Sequence, residues 1–292
     1  MAGIIITNLR DFGFNRYNKI ILKTNDDLRY KLILQNYCDK VVLDPNYVVC
    51  KDDLVFHIID PRNICSGHNN VFIDNMGDYW CYLGRTKQYE HRLNLYYNGI
   101  NNSSHSFITS FENLNTTNGY PLHHFAFIDK HIVNKMFKSN CSNSTMLSDD
   151  VLYLGSFKSK NELFDQNVKN TDIFNYTRTT DRRKIVDLIF NSSLIVTHPG
   201  INSISESLYL NKPYIYVAPA NLEQTINCDI IERHGLGIVI KEYSEINLEL
   251  GFKQMRLQYN EYKQNIDKFV KLNQISFSNF EEFLRGIIHV DV

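Results

Sequence analysis

The chain has 292 residues, 43% of them hydrophobic and 22% charged, with a formal net charge of −1. That length suits about two domains with apolar cores. The composition excludes disordered and fibrous classes, and the charge argues against a globally basic polyanion binder. No apolar run approaches the ~18–20 residues of a membrane helix, so no membrane span is expected. The cysteines, at 38, 50, 65, 81, 141 and 228, form no CxxC pair. The first residues lack the basic and long apolar regions of a signal peptide. The expected setting is therefore a reducing cytoplasm, with the cysteines acting as small buried hydrophobes.

In chain order, the first half reads as short apolar runs bounded by Asn, Asp, Gly or Pro. Strands are predicted at 3–7, 19–22, 40–43, 54–59, 70–73 and 106–109. A helix is predicted at 27–38 from apolar residues at helical spacing. The stretch 139–149, rich in Ser, Asn and Thr, reads as a linker or surface loop.

The second half alternates more sharply. Strands are predicted at 151–155, 194–197, 213–217 and 236–240. Helices are predicted at 181–191, 202–210 and 223–234, the last ended by Gly235. One long helical region covers 246–272, with an interruption near Gly251, and a final helix covers 277–288. Such alternation implies right-handed βαβ units and a doubly wound parallel sheet. The expected domains are 1–147 and 148–275, with 276–292 crossing back to the first.

One stretch carries the chemistry. A strand ending at Thr197 runs into His198-Pro199-Gly200, and a helix opens near Asn202-Ser203. Ligands of α/β sheets bind beyond the carboxyl ends of strands. Gly200 lets backbone approach a ligand, and a helix N-terminus offers free N–H groups and positive potential to a phosphate or diphosphate. Asn202 and Ser203 add side-chain donors. Glu206, one turn on, offers acceptors to ribose hydroxyls. The plainer alternative is an N-cap by Asn202 or Ser203 after a tight turn.

The spacing resembles the donor-binding signature of GT-B nucleotide-sugar glycosyltransferases, particularly the UDP-glycosyltransferases: His-x-Gly-x-Asn-Ser-x-x-Glu, then Pro, then Asp/Glu-Gln-x-x-Asn. Here these are His198, Gly200, Asn202, Ser203, Glu206, Pro213, and Glu223-Gln224-Thr225-Ile226-Asn227, followed by Gly235-Leu236-Gly237. The resemblance covers about residues 150–240. It implies an α/β, GT-B fold of two Rossmann-like domains facing across a cleft. It also implies that His198, Asn202 and Ser203 hold the diphosphate, that Glu206 holds the ribose, and that Glu223 and Gln224 bond the transferred sugar. Gly155 and Ser156 match the family's glycine/serine loop facing the phosphates. Phe174 and Tyr176 are candidates for the base platform on position alone. Pro199 departs from the family, whose members have cysteine or glycine there.

The N-terminal Gly-His of many family members is absent, so the proton acceptor must be another group. Asp11, after the first predicted strand, is one candidate. Asp74 is the other. It follows the strand ending at Ile73, and it resembles the aspartate after an N-domain strand in some phage DNA glucosyltransferases. Its plainer reading is a turn residue beside Gly77. His123-His124 read as one packed and one solvated residue, since neighbours on a strand face opposite ways. No metal-ligand spacing and no Asp-x-Asp appear, so metal-independent transfer without a cofactor is expected.

The reading is a glycosyltransferase moving a sugar from a nucleotide-diphosphate donor, UDP-sugar favoured, to a hydroxyl acceptor, with inversion. The acceptor is a glycan, a small molecule or a modified DNA base. The alternatives are a nucleotide-sugar hydrolase of the same fold, a phage-type DNA-base glycosyltransferase and a non-catalytic sugar-nucleotide-binding subunit.

Overall fold

A computed structural model describes residues 20–22, 41–43, 48, 50, 54–58, 64, 69–74, 87–108, 111, 123–128, 132–133, 135–136, 151–154, 182–273 and 275–278. The chain divides into two units: Met1–Phe127 with Ile275–Val292, and Ile128–Gln274. Both are parallel α/β structures. The predicted strand at 3–7, the helix at 27–38 and the linker at 139–149 lie outside the described residues.

In the first unit, β1 (Ile20–Leu22) pairs in parallel with β2 (Val41–Leu43). A separate sheet contains β3 (Leu54–Ile58), β4 (Asn69–Asp74), β5 (His105–Ile108), β6 (His123–Phe127) and, from the far end of the chain, β11 (Ser276–Ser278). Its order is β11-β6-β5-β4-β3, all parallel. β11 corrects the predicted helix at 277–288 at its first residues. Ser276-Phe277-Ser278 alternates polar and apolar residues at the strand period, and it pairs with Phe125–Phe127.

Helix α1 (Lys87–Asn101) is not among the predicted elements. Its buried face is Tyr96, Gly99 and Ile100 rather than an aliphatic stripe. A Cβ on Gly99 would lie 2.6 Å from the Phe72 ring, so the missing side chain lets the helix close onto β4. A polar network then fixes the amino end of this layer. His57 Nε2 bonds Asn70 Oδ1 at 3.1 Å, and Asn70 Nδ2 donates to Asn102 O at 3.3 Å, just past α1.

The second unit alternates strictly: β7 (Val151–Leu154), α2 (Arg182–Asn191), β8 (Leu194–Thr197), α3 (Ile201–Leu210), β9 (Ile215–Val217), α4 (Leu222–His234), β10 (Ile238–Ile240) and α5 (Glu245–Leu272). The sheet order is β10-β9-β8-β7, all parallel. Every residue of β8 and β9 is buried, as expected for strands covered on both faces. On one face Leu194, Val196, Ile215 and Val217 pack with Leu248, Met255 and Tyr262 of α5.

Helix α5 runs unbroken through Gly251, where an interruption was expected. A Cβ there would lie 3.1 Å from Ile240 Cδ1, so the glycine serves a close helix–strand approach rather than a break. Gly235 ends α4 with φ of 58°, the left-handed conformation glycine adopts freely. Among the described residues, no helix is long and apolar enough to cross a membrane.

Candidate nucleotide site

β8 ends at Thr197, at the carboxyl edge of the second sheet, and α3 opens four residues later, at Ile201. The link is a γ-turn: Gly200 N–H donates to His198 O at 2.8 Å across Pro199. Proline supplies the fixed φ that the central residue of such a turn needs. Gly200 is the N-cap residue, with φ −78° and ψ 153° and no side-chain cap. This corrects the capping alternative. Asn202 and Ser203 lie inside the first turn, so neither can cap it. The first intrahelical bond is Ile204 N–H to Gly200 O at 3.1 Å. The N–H groups of Ile201, Asn202 and Ser203 therefore have no intrahelical acceptor.

Gly200 needs no glycine for its own sake. Its φ and ψ suit any residue, and a Cβ there would meet nothing within 4 Å. Gly237 contrasts with it. A Cβ on Gly237 would lie 2.4 Å from the Tyr214 carbonyl oxygen, so that glycine is explained by packing.

The side chains around the turn are held from several directions. His198 Nδ1 lies 3.0 Å from Val217 O and 3.2 Å from Ala218 O. Both partners are acceptors, so Nδ1 carries the hydrogen and donates. Ala218 has φ of 46°, an uncommon conformation for a non-glycine residue, and its N–H donates to Ile240 O at 2.9 Å. Ser203 Oγ lies 3.2 Å from the buried Thr197 Oγ1. Asn227 Nδ2 donates to Pro199 O at 2.8 Å.

Glu206 is 6% exposed on α3. Burial pushes the neighbouring Tyr216 phenol up, a Ser207 hydrogen bond partly offsets this, and the Glu206 carboxylate adds to it. Below the site, the Lys212 ammonium donates to Ile189 O at 2.6 Å and to Ser192 O, tying the end of α2 to the end of α3. Burial lowers its pKa to about 8.

At α4, Asn221 caps the helix by accepting from Gln224 N–H at 2.9 Å, and Gln224 Oε1 accepts from Ala220 N–H at 2.7 Å. This is close to a capping box. The Gln224 oxygen is thus engaged locally, leaving Nε2 as the side chain's donor at this helix start. Glu223 sits beside it in the first turn. In the first unit, Asp74 is the last residue of β4 and 2% exposed, so it belongs to the strand rather than a turn. Asp11, Gly155, Ser156, Phe174 and Tyr176 lie outside the described residues. Asn227 is the member of the motif whose structural role sequence reasoning did not assign.

The family model described as the glycosyltransferase family 28 C-terminal domain matches residues 133–279. Over 57 residues the chain is 40% identical to the uncharacterized UDP-glucosyltransferase YojK of Bacillus subtilis (strain 168). That match spans 20% of this chain and 14% of the relative. Among solved structures, Os79 from O. sativa in complex with UDP aligns with a TM-score of 0.47 and 9% identity, over 71% of this chain and 69% of that one.

Proposed function

The chain belongs to the family of glycosyltransferase family 28 C-terminal domains, and from that premise we propose that it transfers a sugar from a nucleoside-diphosphate donor, UDP-sugar favoured, to a hydroxyl acceptor. One observation carries the reading. The helix after β8 opens without a side-chain cap, at a glycine that neither its backbone conformation nor its neighbours require. Uncapped N–H groups at the carboxyl edge of a parallel sheet are what a diphosphate needs.

In this reading the amides of Ile201, Asn202 and Ser203 take the phosphate oxygens. The side chains of Asn202 and Ser203 assist, while the Nδ1–H of His198 holds the turn in place against Val217 O and Ala218 O. Glu206 accepts from the ribose hydroxyls, and Glu223 and Gln224 meet the sugar. The leaving diphosphate is stabilised by fixed dipoles already in place rather than by a metal. Displacement proceeds with inversion: the acceptor oxygen forms its bond to the anomeric carbon as the bond to the diphosphate oxygen breaks. The acceptor proton passes to a carboxylate, which we assign to Asp74. We set the reaction in the cytoplasm. Cys228, buried with its pKa pushed to about 12 by that burial, is an inert free thiol consistent with a reducing compartment.

The test is a thermal-shift screen of nucleoside diphosphates, followed by product analysis with the matching sugar donor. A ligand at ~100 times its Kd stabilises by about 2.7 kcal/mol through mass action. UDP should give the largest shift. If no nucleoside diphosphate moves the transition, the reading falls.

A further inference from the structure

We propose that Asn227 is a positioning residue for the nucleoside diphosphate. It fixes the turn that presents the α3 amides, although it is not itself assigned a ligand contact. This rests on the donor-binding reading above and goes one residue beyond it.

The argument begins at Pro199. Proline has no N–H, so the only main-chain group by which residue 199 can be tethered is its carbonyl. That carbonyl accepts from Asn227 Nδ2 at 2.8 Å, and Asn227 is 5% exposed. The other carbonyl of the turn, on His198, is taken by Gly200 N–H. His198 Nδ1 in turn donates to Val217 O and Ala218 O, in the segment leading to α4. The turn is therefore clamped twice, by its own imidazole reaching out and by an amide of α4 reaching in.

Asn227 follows Glu223 by four residues and shares its face of α4. One helical turn thus joins the proposed sugar-contacting residue to the proposed diphosphate-binding turn. Losing the tie lets the turn sample conformations in which the three amides diverge. Apparent affinity then falls in proportion to the competent fraction.

A matched control exists in the same unit. Asn265 Nδ2 donates to Gly235 O at 3.2 Å, the same kind of bond, at the opposite end of α4. UDP and uridine affinities are measured by calorimetry, alongside thermal unfolding, for wild type, Asn227→Ala, Asn265→Ala and the near-isosteric Asn227→Leu. The leucine variant fills the volume should the alanine variant fail to fold. Both alanine variants are expected to lower the unfolding temperature. Only the Asn227 variants should weaken UDP binding, by about tenfold if the competent fraction falls to a tenth, while uridine affinity changes less than about twofold, within the error of additive estimates. UDP affinity equal to wild type in the Asn227 variants overturns the proposal, as does an equal loss in Asn265→Ala. A wild-type chain that binds no nucleoside diphosphate overturns the donor reading itself.

Discussion

Replacing Gly200 with aspartate should make the protein more stable and its site useless. Residue 200 already has the extended backbone of an N-cap, and a Cβ there meets nothing within 4 Å. An aspartate can therefore enter without displacing an atom and turn its carboxylate onto the first-turn N–H groups. A capping acceptor gains a few tenths of a kcal/mol over glycine. A carboxylate at a helix N-terminus adds ~0.3–1 kcal/mol. Removing glycine's freedom from the unfolded chain adds roughly 0.4–1 kcal/mol more. The sum is about 1–2 kcal/mol, or a rise of ~2–8 °C in Tm. The same carboxylate occupies the donors assigned to the diphosphate and repels it. Losing one or more charge-assisted hydrogen bonds costs about 1.5–3 kcal/mol each, which is at least a tenfold loss of affinity. Gly200→Ser, an uncharged cap, should fall between the two. The assay is thermal unfolding with and without UDP, backed by calorimetry. A fall in Tm would mean that the glycine serves the fold. UDP affinity within threefold of wild type would mean that the α3 amides are not the phosphate site.

Further outcomes follow from the same geometry. Glu206→Ala should weaken UDP binding at least ~tenfold, and 2′-deoxy-UDP, already weakened toward wild type, should lose less from the substitution. Equal losses for both nucleotides would remove Glu206 from the ribose. Asp74→Asn should lower kcat about 10²–10⁴-fold with UDP affinity unchanged, the range for a general base. Retained turnover would return the role to Asp11. UDP binding and transfer should survive EDTA, and a loss restored by a divalent cation would refute the metal-independent mechanism. Lys212 gives a pH signature, because its folded pKa of about 8 lies below the ordinary 10.5. Between those values the unfolded chain binds more protons, so raising the pH favours the folded state. Urea midpoints should show wild type gaining about 3 kcal/mol relative to Lys212→Met between pH 8 and 10.5, and a flat difference would refute the burial argument.

The second unit is legible in sequence because its strands are aliphatic and its boundaries carry chemistry. Leu194–Thr197 is read to the residue, and Gly235 marks the end of α4 by the same left-handed cap that the structure holds. Helix α1 escapes because a face of tyrosine and glycine gives no aliphatic stripe, and its packing depends on an absent side chain at Gly99. At α4 the Asn221-x-x-Gln224 spacing is itself a capping signal, so the sequence supports two readings of Gln224 and the structure exhibits the local one. The tie from Asn227 to Pro199 spans 28 residues, and no local pattern announces it. Only the adjacency of β8 and β9 brings the turn after β8 and helix α4 after β9 close enough for that bond.

The treatment of helix starts distinguishes a cost of folding from a provision for binding. The chain caps α4 with Asn221 and α5 with Ser244, each accepting from the N–H three residues on. It leaves α3 without such a cap. Keeping glycine where a capping side chain could sit costs a few tenths of a kcal/mol, against a total stability of about 5–15 kcal/mol for a typical protein. Nothing in the packing around residue 200 offsets that cost, because no steric need excludes a serine there. Meanwhile the turn before it is held by proline, by His198 and by Asn227, more ties than a three-residue connection needs merely to reverse direction. Rigid placement of donors that the fold itself leaves unused is the arrangement expected where an incoming anion completes the cap. By this reasoning a bound diphosphate should raise the stability of wild type by more than that of Gly200→Ser, and the difference between the two shifts measures how much of the missing cap the ligand supplies.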